Sequence, residues 1–119
     1  MTSDLFRRAD FENFVLGLPA VTLVHQWRDD SVAKVGGKIF SLFDRDDGEV
    51  WFKASPMAFA VLPDTPGIRP APYFARAGWL AVSRSSGMTQ EDLAAHIREA
   101  HRLVVARLPR RIRSELQLT

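Results

Sequence analysis

Lys34 and Lys38 flank a Gly36-Gly37 pair, while Arg107, Arg110, Arg111 and Arg113 crowd the C-terminal region. Cations grouped in this way contact phosphate or carboxylate, lysine as a point charge and arginine through a planar, bidentate fork. Adjacent glycines tolerate the positive φ of a primed turn, so the two lysines are expected at the tip of a β-hairpin. Such a hairpin can act as a wing against a nucleic-acid backbone. Arg76, Arg84, Arg98 and Arg102 extend the basic set. Arg107 has a structural use as well, because a cation stabilises the carbonyl end of a helix.

Other chemistries are poorly supplied. Without cysteine there is no disulfide, no thiolate catalysis and no cysteine-ligated zinc or iron–sulfur site. There is no Gly-x-Ser-x-Gly elbow, and Val35-Gly36-Gly37-Lys38 is neither a P-loop nor a dinucleotide fingerprint. His96 and His101 are five apart on an expected helix, roughly 140° around its axis, so they do not chelate one metal. His101 flanks an apolar stripe and is expected to pack. Asp44, Asp46, Asp47 and Glu49 surround a turn but lack the twelve-residue calcium-loop pattern, so solvated carboxylates or Asx-turns are expected there and at Asp29-Asp30. No catalytic residue, metal or cofactor is assigned, and an enzyme is not expected. Trp27, Trp51 and Trp79 fall on expected strands or their ends, where large aromatics normally pack against covering helices; a base-stacking platform is their other use.

The elements that position these groups follow from periodicity. Ser3 to Gly17 reads as a helix capped at Ser3 or Asp4, with Asp10 as the cap of a shorter version, and Gly17 and Pro19 stop it. From Val21 to Ala54 the period shifts towards two. Strands are expected at Val21–Trp27, Val32–Val35, Lys38–Asp44 and Glu49–Ala54, joined by turns at 28–31, Gly36-Gly37 and Asp46-Asp47-Gly48. Ser55-Pro56 starts a short helix reaching about Leu62. Pro63–Pro72 holds four of the seven prolines and is expected as a loop. Trp79–Arg84 reads as a last strand. Thr89 caps the final helix, Met88 can staple against Leu93, and Leu93, Ile97, Ala100, Val104 and Leu108 make one apolar face before Pro109 ends it. The layout is α+β, an antiparallel sheet with N- and C-terminal helices on one face and a short helix between strands.

The 119 residues form one expected domain, 1–119, large enough to bury a single core. A 25% charged and 46% hydrophobic composition excludes a disordered or fibrous chain. Apolar stretches such as Met57–Leu62 are far short of a spanning helix, and the N-terminus lacks a signal-peptide apolar region, so a cytoplasmic protein is expected. The net charge of +2 hides an asymmetry. Residues 1–49 carry 6 basic and 9 acidic side chains, residues 50–119 carry 10 and 5, and six arginines fall within Arg98–Arg113.

In order and spacing the chain resembles the MmcQ/YjbR family over nearly its whole length. The resemblance rests on Leu18-Pro19-Ala20-Val21 after the leading helix, Lys34-Val35-Gly36-Gly37-Lys38-Ile39-Phe40, and Trp51-Phe52-Lys53-Ala54 before the Ser-Pro helix. Pro66-Gly67-Ile68, Trp79-Leu80-Ala81-Val82 and the closing Ala100 to Pro109 complete it. The resemblance implies a CyaY-like or secretion-chaperone-like fold and a DNA-binding role through two wings. Lys34 and Lys38 would sit on one wing, with Arg76 and Trp79 near the other. Many members carry an Asn and a His around that basic residue; here Ala75 and Gly78 stand in their places, and Arg76 is kept.

Two functional readings follow. The first is binding of double-stranded DNA through phosphate contacts from Lys34, Lys38, Arg76, Arg107, Arg110 and Arg111, with low sequence specificity and steep salt dependence. The second is a module for a protein or small ligand, in which the sheet face and the Pro63–Pro72 loop hold the partner and the arginines serve solubility. A membrane partner is not expected, a monomer is compatible with either reading, and the sequence does not fix the oligomeric state.

Overall fold

Alternating β-branched and aromatic residues from Val21 onward build the sheet on which everything else is placed. In the computed structural model, which describes residues 3–118, β1 (Val21–Gln26), β2 (Asp30–Val35), β3 (Lys38–Phe43) and β4 (Val50–Lys53) form an antiparallel meander. β6 (Trp79–Val82) pairs with β4, and β5 (Ile68–Pro70) closes the edge, in the order β1-β2-β3-β4-β6-β5. β5 lies in the stretch expected to be a loop. It pairs on one side only, and an edge is where a strand tolerates Pro70.

Three helices, α1 (Arg8–Leu16), α2 (Pro56–Val61) and α3 (Gln90–Arg107), pack on one sheet face. The predicted stripe of α3 is the buried one: Leu93, Ile97 and Ala100 are fully inaccessible, and Val104 and Leu108 nearly so. They meet Phe40, Phe52, Leu80 and Val82 from the strands and Phe11 and Val15 from α1. Each fully buried side chain of this size contributes about 1.5–3 kcal/mol. Both predicted caps form: Ser55 Oγ accepts from the Ala58 N–H and Thr89 Oγ1 from the Asp92 N–H. A further short helix, α4 (Arg110–Glu115), follows Pro109 where none was expected.

The leading helix begins at Arg8, later than Ser3. The turn before it has its own partners: Asp4 Oδ1 accepts from the Phe6 N–H and Asp10 Oδ2 from the Asp4 N–H, both at 3.0 Å. Asp10 thus lies in the first turn of α1 and does not cap it.

The tryptophans depart from expectation in a way that strand geometry explains. Val50, Phe52, Leu80 and Val82 turn towards the helices. The alternation that puts them there sends Trp51, Trp79 and Ala81 to the opposite face. On that face a second, smaller core gathers Val32, Leu42, Ala71 and Trp79, with Trp51 and Phe74 packed on it. A register shift in the β2–β3 pairing leaves Phe40 without a cross-strand partner. That bulge lets Phe40 join the helix-side core while Ile39 and Leu42 both join the other.

Two contacts fix the frame. Glu12 on α1 accepts from Ser31 Oγ at 2.6 Å and is hydrogen-bonded to His25 at 2.7 Å, tying the helix to β1 and β2. Burial pushes the Glu12 pKa up, but the Ser31 and His25 hydrogen bonds and the His25 and Arg8 charges outweigh it and hold the carboxyl below its ordinary 4.5. The stability it contributes is present above that value and is lost as pH falls through the lowered folded pKa. Glu12→Gln should cost about 1 kcal/mol at neutral pH and flatten the acid limb of a stability–pH curve measured by urea unfolding.

The second contact is at the β2–β3 turn, where Gly36 and Gly37 have φ of 59° and 80°. A Cβ on Gly36 would lie 2.7 Å from Leu108 Cδ1, whereas one on Gly37 would meet nothing within 4 Å. Gly37→Ala should cost about 1 kcal/mol from backbone strain alone, and Gly36→Ala about 2–3 kcal/mol because Leu108 must also move. Thermal and urea unfolding of the two variants measures the difference.

Candidate nucleic-acid interface

Antiparallel pairing decides which side chains become neighbours. It sets the Gly36-Gly37 hairpin, the end of β4 and the start of β6 at one end of the sheet, because β3 pairs Ser41 with Phe52 and β4 pairs Lys53 with Trp79. The C-terminal end of α3 reaches the same end, where Leu108 covers Gly36. Lys38, Lys53, Arg76 and Arg107 therefore converge from four different elements.

They surround two joined concavities. One, of about 380 Å³, is lined by Lys53, Arg76 and Arg107 with Pro56, Phe59 and Leu103 as apolar wall. The other, of about 270 Å³, is lined by Lys38, Lys53 and Arg107 with Trp79, Leu108 and Pro109. Lys53 and Arg107 belong to both, and neither lining includes a carboxylate. Lys53 Nζ donates to the Ala77 carbonyl at 2.7 Å, which ties the end of β4 to the turn carrying Arg76. Burial, and then the Arg107 charge, lower the Lys53 pKa from its ordinary 10.5. A cation held against another cation in a concave surface is ready for an anion.

Of the six residues singled out in the sequence, Lys38, Arg76 and Arg107 meet at this double cleft. Lys34 does not line it; it is half-buried on β2, opposite Thr22 and Ile39. Arg110 and Arg111 sit exposed in the first turn of α4, just past the cleft wall at Pro109, and Arg111 reaches Glu115 at 3.9 Å. Trp79, expected near the second wing, is 4% exposed and belongs to the smaller core. Lys53 was missed. Its signal was available: a lysine at the end of a meander strand that must return beside the Gly-Gly turn.

The acidic turns singled out in the sequence occupy the opposite end of the sheet. Asp29 and Asp30 stand at the β1–β2 turn, and Asp44, Asp46, Asp47 and Glu49 at the β3–β4 turn. Asp44, Asp47 and Glu49 bring one oxygen each within 4.8 Å of one another, the spacing a hard cation would need. Glu49 already accepts from Arg69 at 2.8 Å and from the Trp51 indole at 3.2 Å. The histidines are structural in their contacts: His101 is hydrogen-bonded to the Pro19 carbonyl at 2.8 Å, and His96 stacks on Phe52.

A family model, YjbR, matches residues 16–103. The chain belongs to the YjbR family. Its fold is that of Deinococcus radiodurans protein DR2400, of domain family DUF419, at a TM-score of 0.85 and 21% identity over 99% of this chain and 94% of that one. A Pseudomonas syringae protein is similar at a TM-score of 0.65 and 18% identity, over 79% of this chain and 95% of its own. No curated protein sequence matches the chain significantly. The described residues of this YjbR protein include no helix long and apolar enough to cross a membrane.

Lys53 gives the cleft a signature in stability. Because its pKa is lowered on folding, the unfolded chain binds more protons between the lowered value and 10.5, so stability rises with pH across that window. Lys53→Met should remove that alkaline rise and leave stability at pH 7 unchanged or up to about 1 kcal/mol higher, measured by urea unfolding across pH.

Proposed function

We propose that this YjbR protein binds double-stranded DNA by its phosphate backbone, at the basic end of the sheet and with low sequence specificity. The observation that carries the reading is the convergence of Lys38, Lys53, Arg76 and Arg107 on two joined clefts lined by no carboxylate. Arg76 and Arg107 would supply bidentate forks to phosphate oxygens, and the two lysines point charges. A phosphate between Lys53 and Arg107 would offset both the burial and the Arg107 repulsion that lower the Lys53 pKa. Arg110 and Arg111 on α4 would extend the contact along the backbone, and Lys34 would lie at its margin on the sheet face.

Polarity supports this orientation. With Asp29, Asp30, Asp44, Asp46, Asp47 and Glu49 at the far end, a polyanion is attracted to one pole and repelled from the other. The cleft offers cations and apolar wall, with no Asn or Gln to read a base edge, so binding should depend on charge more than on sequence.

Fluorescence anisotropy on a short labelled duplex across a salt series tests the proposal. Log K should fall with log salt at about −0.9 per phosphate neutralised. Lys53→Met, Arg76→Ala and Arg107→Ala should each weaken binding and make the slope shallower by roughly that amount. Arg110→Ala with Arg111→Ala should have a smaller effect. Absence of binding at low salt, or a slope indifferent to the cleft substitutions, would overturn the reading.

A further inference from the structure

The helix-free face carries another concavity, towards the acidic end of the sheet. Phe74, on the segment that crosses this face, gathers the three tryptophans, with ring centroids 5.0 Å away for Trp79, 6.1 Å for Trp51 and 6.2 Å for Trp27. Trp27, Trp51, Tyr73 and Phe74 line a cavity of about 460 Å³, together with Leu42, Asp30 and Arg28. Core packing accounts for Trp79, Trp51 and Phe74, but not for Trp27 and Tyr73. Trp27 is 58% exposed, and Tyr73 is fully exposed. Both adopt left-handed backbone, φ 56° and 66°, which bulky residues seldom do and which clusters at ligand clamps.

The cage is also braced. The Trp51 indole N–H donates to Glu49 Oε1 at 3.2 Å, and Arg69 holds the same carboxylate at 2.8 Å, so the orientation of that ring is set before any ligand arrives. Asp30 is 7% exposed, and one of its oxygens accepts from the Arg45 N–H at 3.0 Å. The one cation of the lining, Arg28, is engaged by Asp46 at 3.3 Å. Burial first, and then the charges of Asp30, Asp47 and Glu49, raise the pKa of nearby Asp44, a sign of the negative field at this end.

Aromatic rings lining a cavity together with a carboxylate suit one ligand chemistry above others. The faces of Trp, Tyr and Phe attract a cation held within about 6 Å, and methylated ammonium groups are recognised in aromatic cages for that reason. A nucleotide would stack equally well on these rings, but its phosphate would face the acidic pole. We propose that the cavity lined by Trp27, Trp51, Tyr73 and Phe74 is a binding site for a small organic cation with a quaternary or methylated ammonium group, which the rings flank and Asp30 neutralises. The site lies apart from the basic clefts and is independent of the DNA reading.

Isothermal titration calorimetry tests this with choline, with its neutral carbon isostere bearing a tert-butyl group, and with a nucleoside monophosphate. Choline should bind saturably, and the isostere at least about 10-fold more weakly. Trp27→Ala should weaken choline binding about 10-fold without loss of folding, because its ring is largely in solvent. Asp30→Asn, which keeps an acceptor for the Arg45 N–H, should abolish the preference for choline over the isostere. Lack of saturation by choline below about 50 mM, equal binding of the isostere, or tighter binding of the nucleotide would overturn the proposal.

Discussion

Leu108 lies across the backbone of Gly36, close enough that even a methyl group on that glycine would collide with it. The contact joins the last residue of the apolar stripe of α3 to a turn with two consecutive positive φ angles. It fixes where a helix of eighteen residues ends relative to the sheet. Arg107, the residue before it, is thereby brought beside Lys38 and Lys53, and Pro109, the residue after it, turns the chain into α4 along the same edge. The basic clefts are a consequence of that seating.

Holding these cations together has a local cost that the rest of the domain offsets. Lys53 is partly desolvated and faces Arg107, and its single hydrogen bond goes to a backbone carbonyl. The helix-side core absorbs this, since many fully buried side chains at about 1.5–3 kcal/mol each outweigh one unfavourable ammonium. At the other pole the like charges are handled differently. Arg8, Arg28 and Arg69 pair with Asp29, Asp46 and Glu49, leaving the carboxylates concentrated but partly neutralised. Two clusters of opposite charge coexist on one small sheet because antiparallel pairing sends alternate turns to opposite ends.

Much of the fold was legible because it is written in local chemistry. The Ser55 and Thr89 caps, the Gly-Gly hairpin and the stripe from Leu93 to Leu108 all depend on neighbours within a few residues. Less legible were elements that exist only through partners distant in the chain. Ile68–Pro70 becomes a strand because β6 offers an unpaired edge, and Asp4 withdraws from the helix because Asp10 and Phe6 satisfy it otherwise. Trp51 and Trp79 were placed on the right strands and the wrong face, while Trp27, expected to end the first strand, falls in the turn just past β1. Alternation fixes only that two sets of residues diverge, and which set meets the helices depends on all six strands together.

The sequence by itself determined the family, the α+β class, the meander and the presence of more cations than carboxylates in its second half. It named Lys38, Arg76 and Arg107, since basic residues beside turns and helix ends are visible one at a time. Only the tertiary structure decided that these three share joined clefts with Lys53, that Lys34 stands aside, and that an aromatic-lined cavity lies towards the acidic end. The reason is physical: residue types and local periodicity are properties of short segments. A cleft is a property of register and helix seating, which emerge only when the whole core closes.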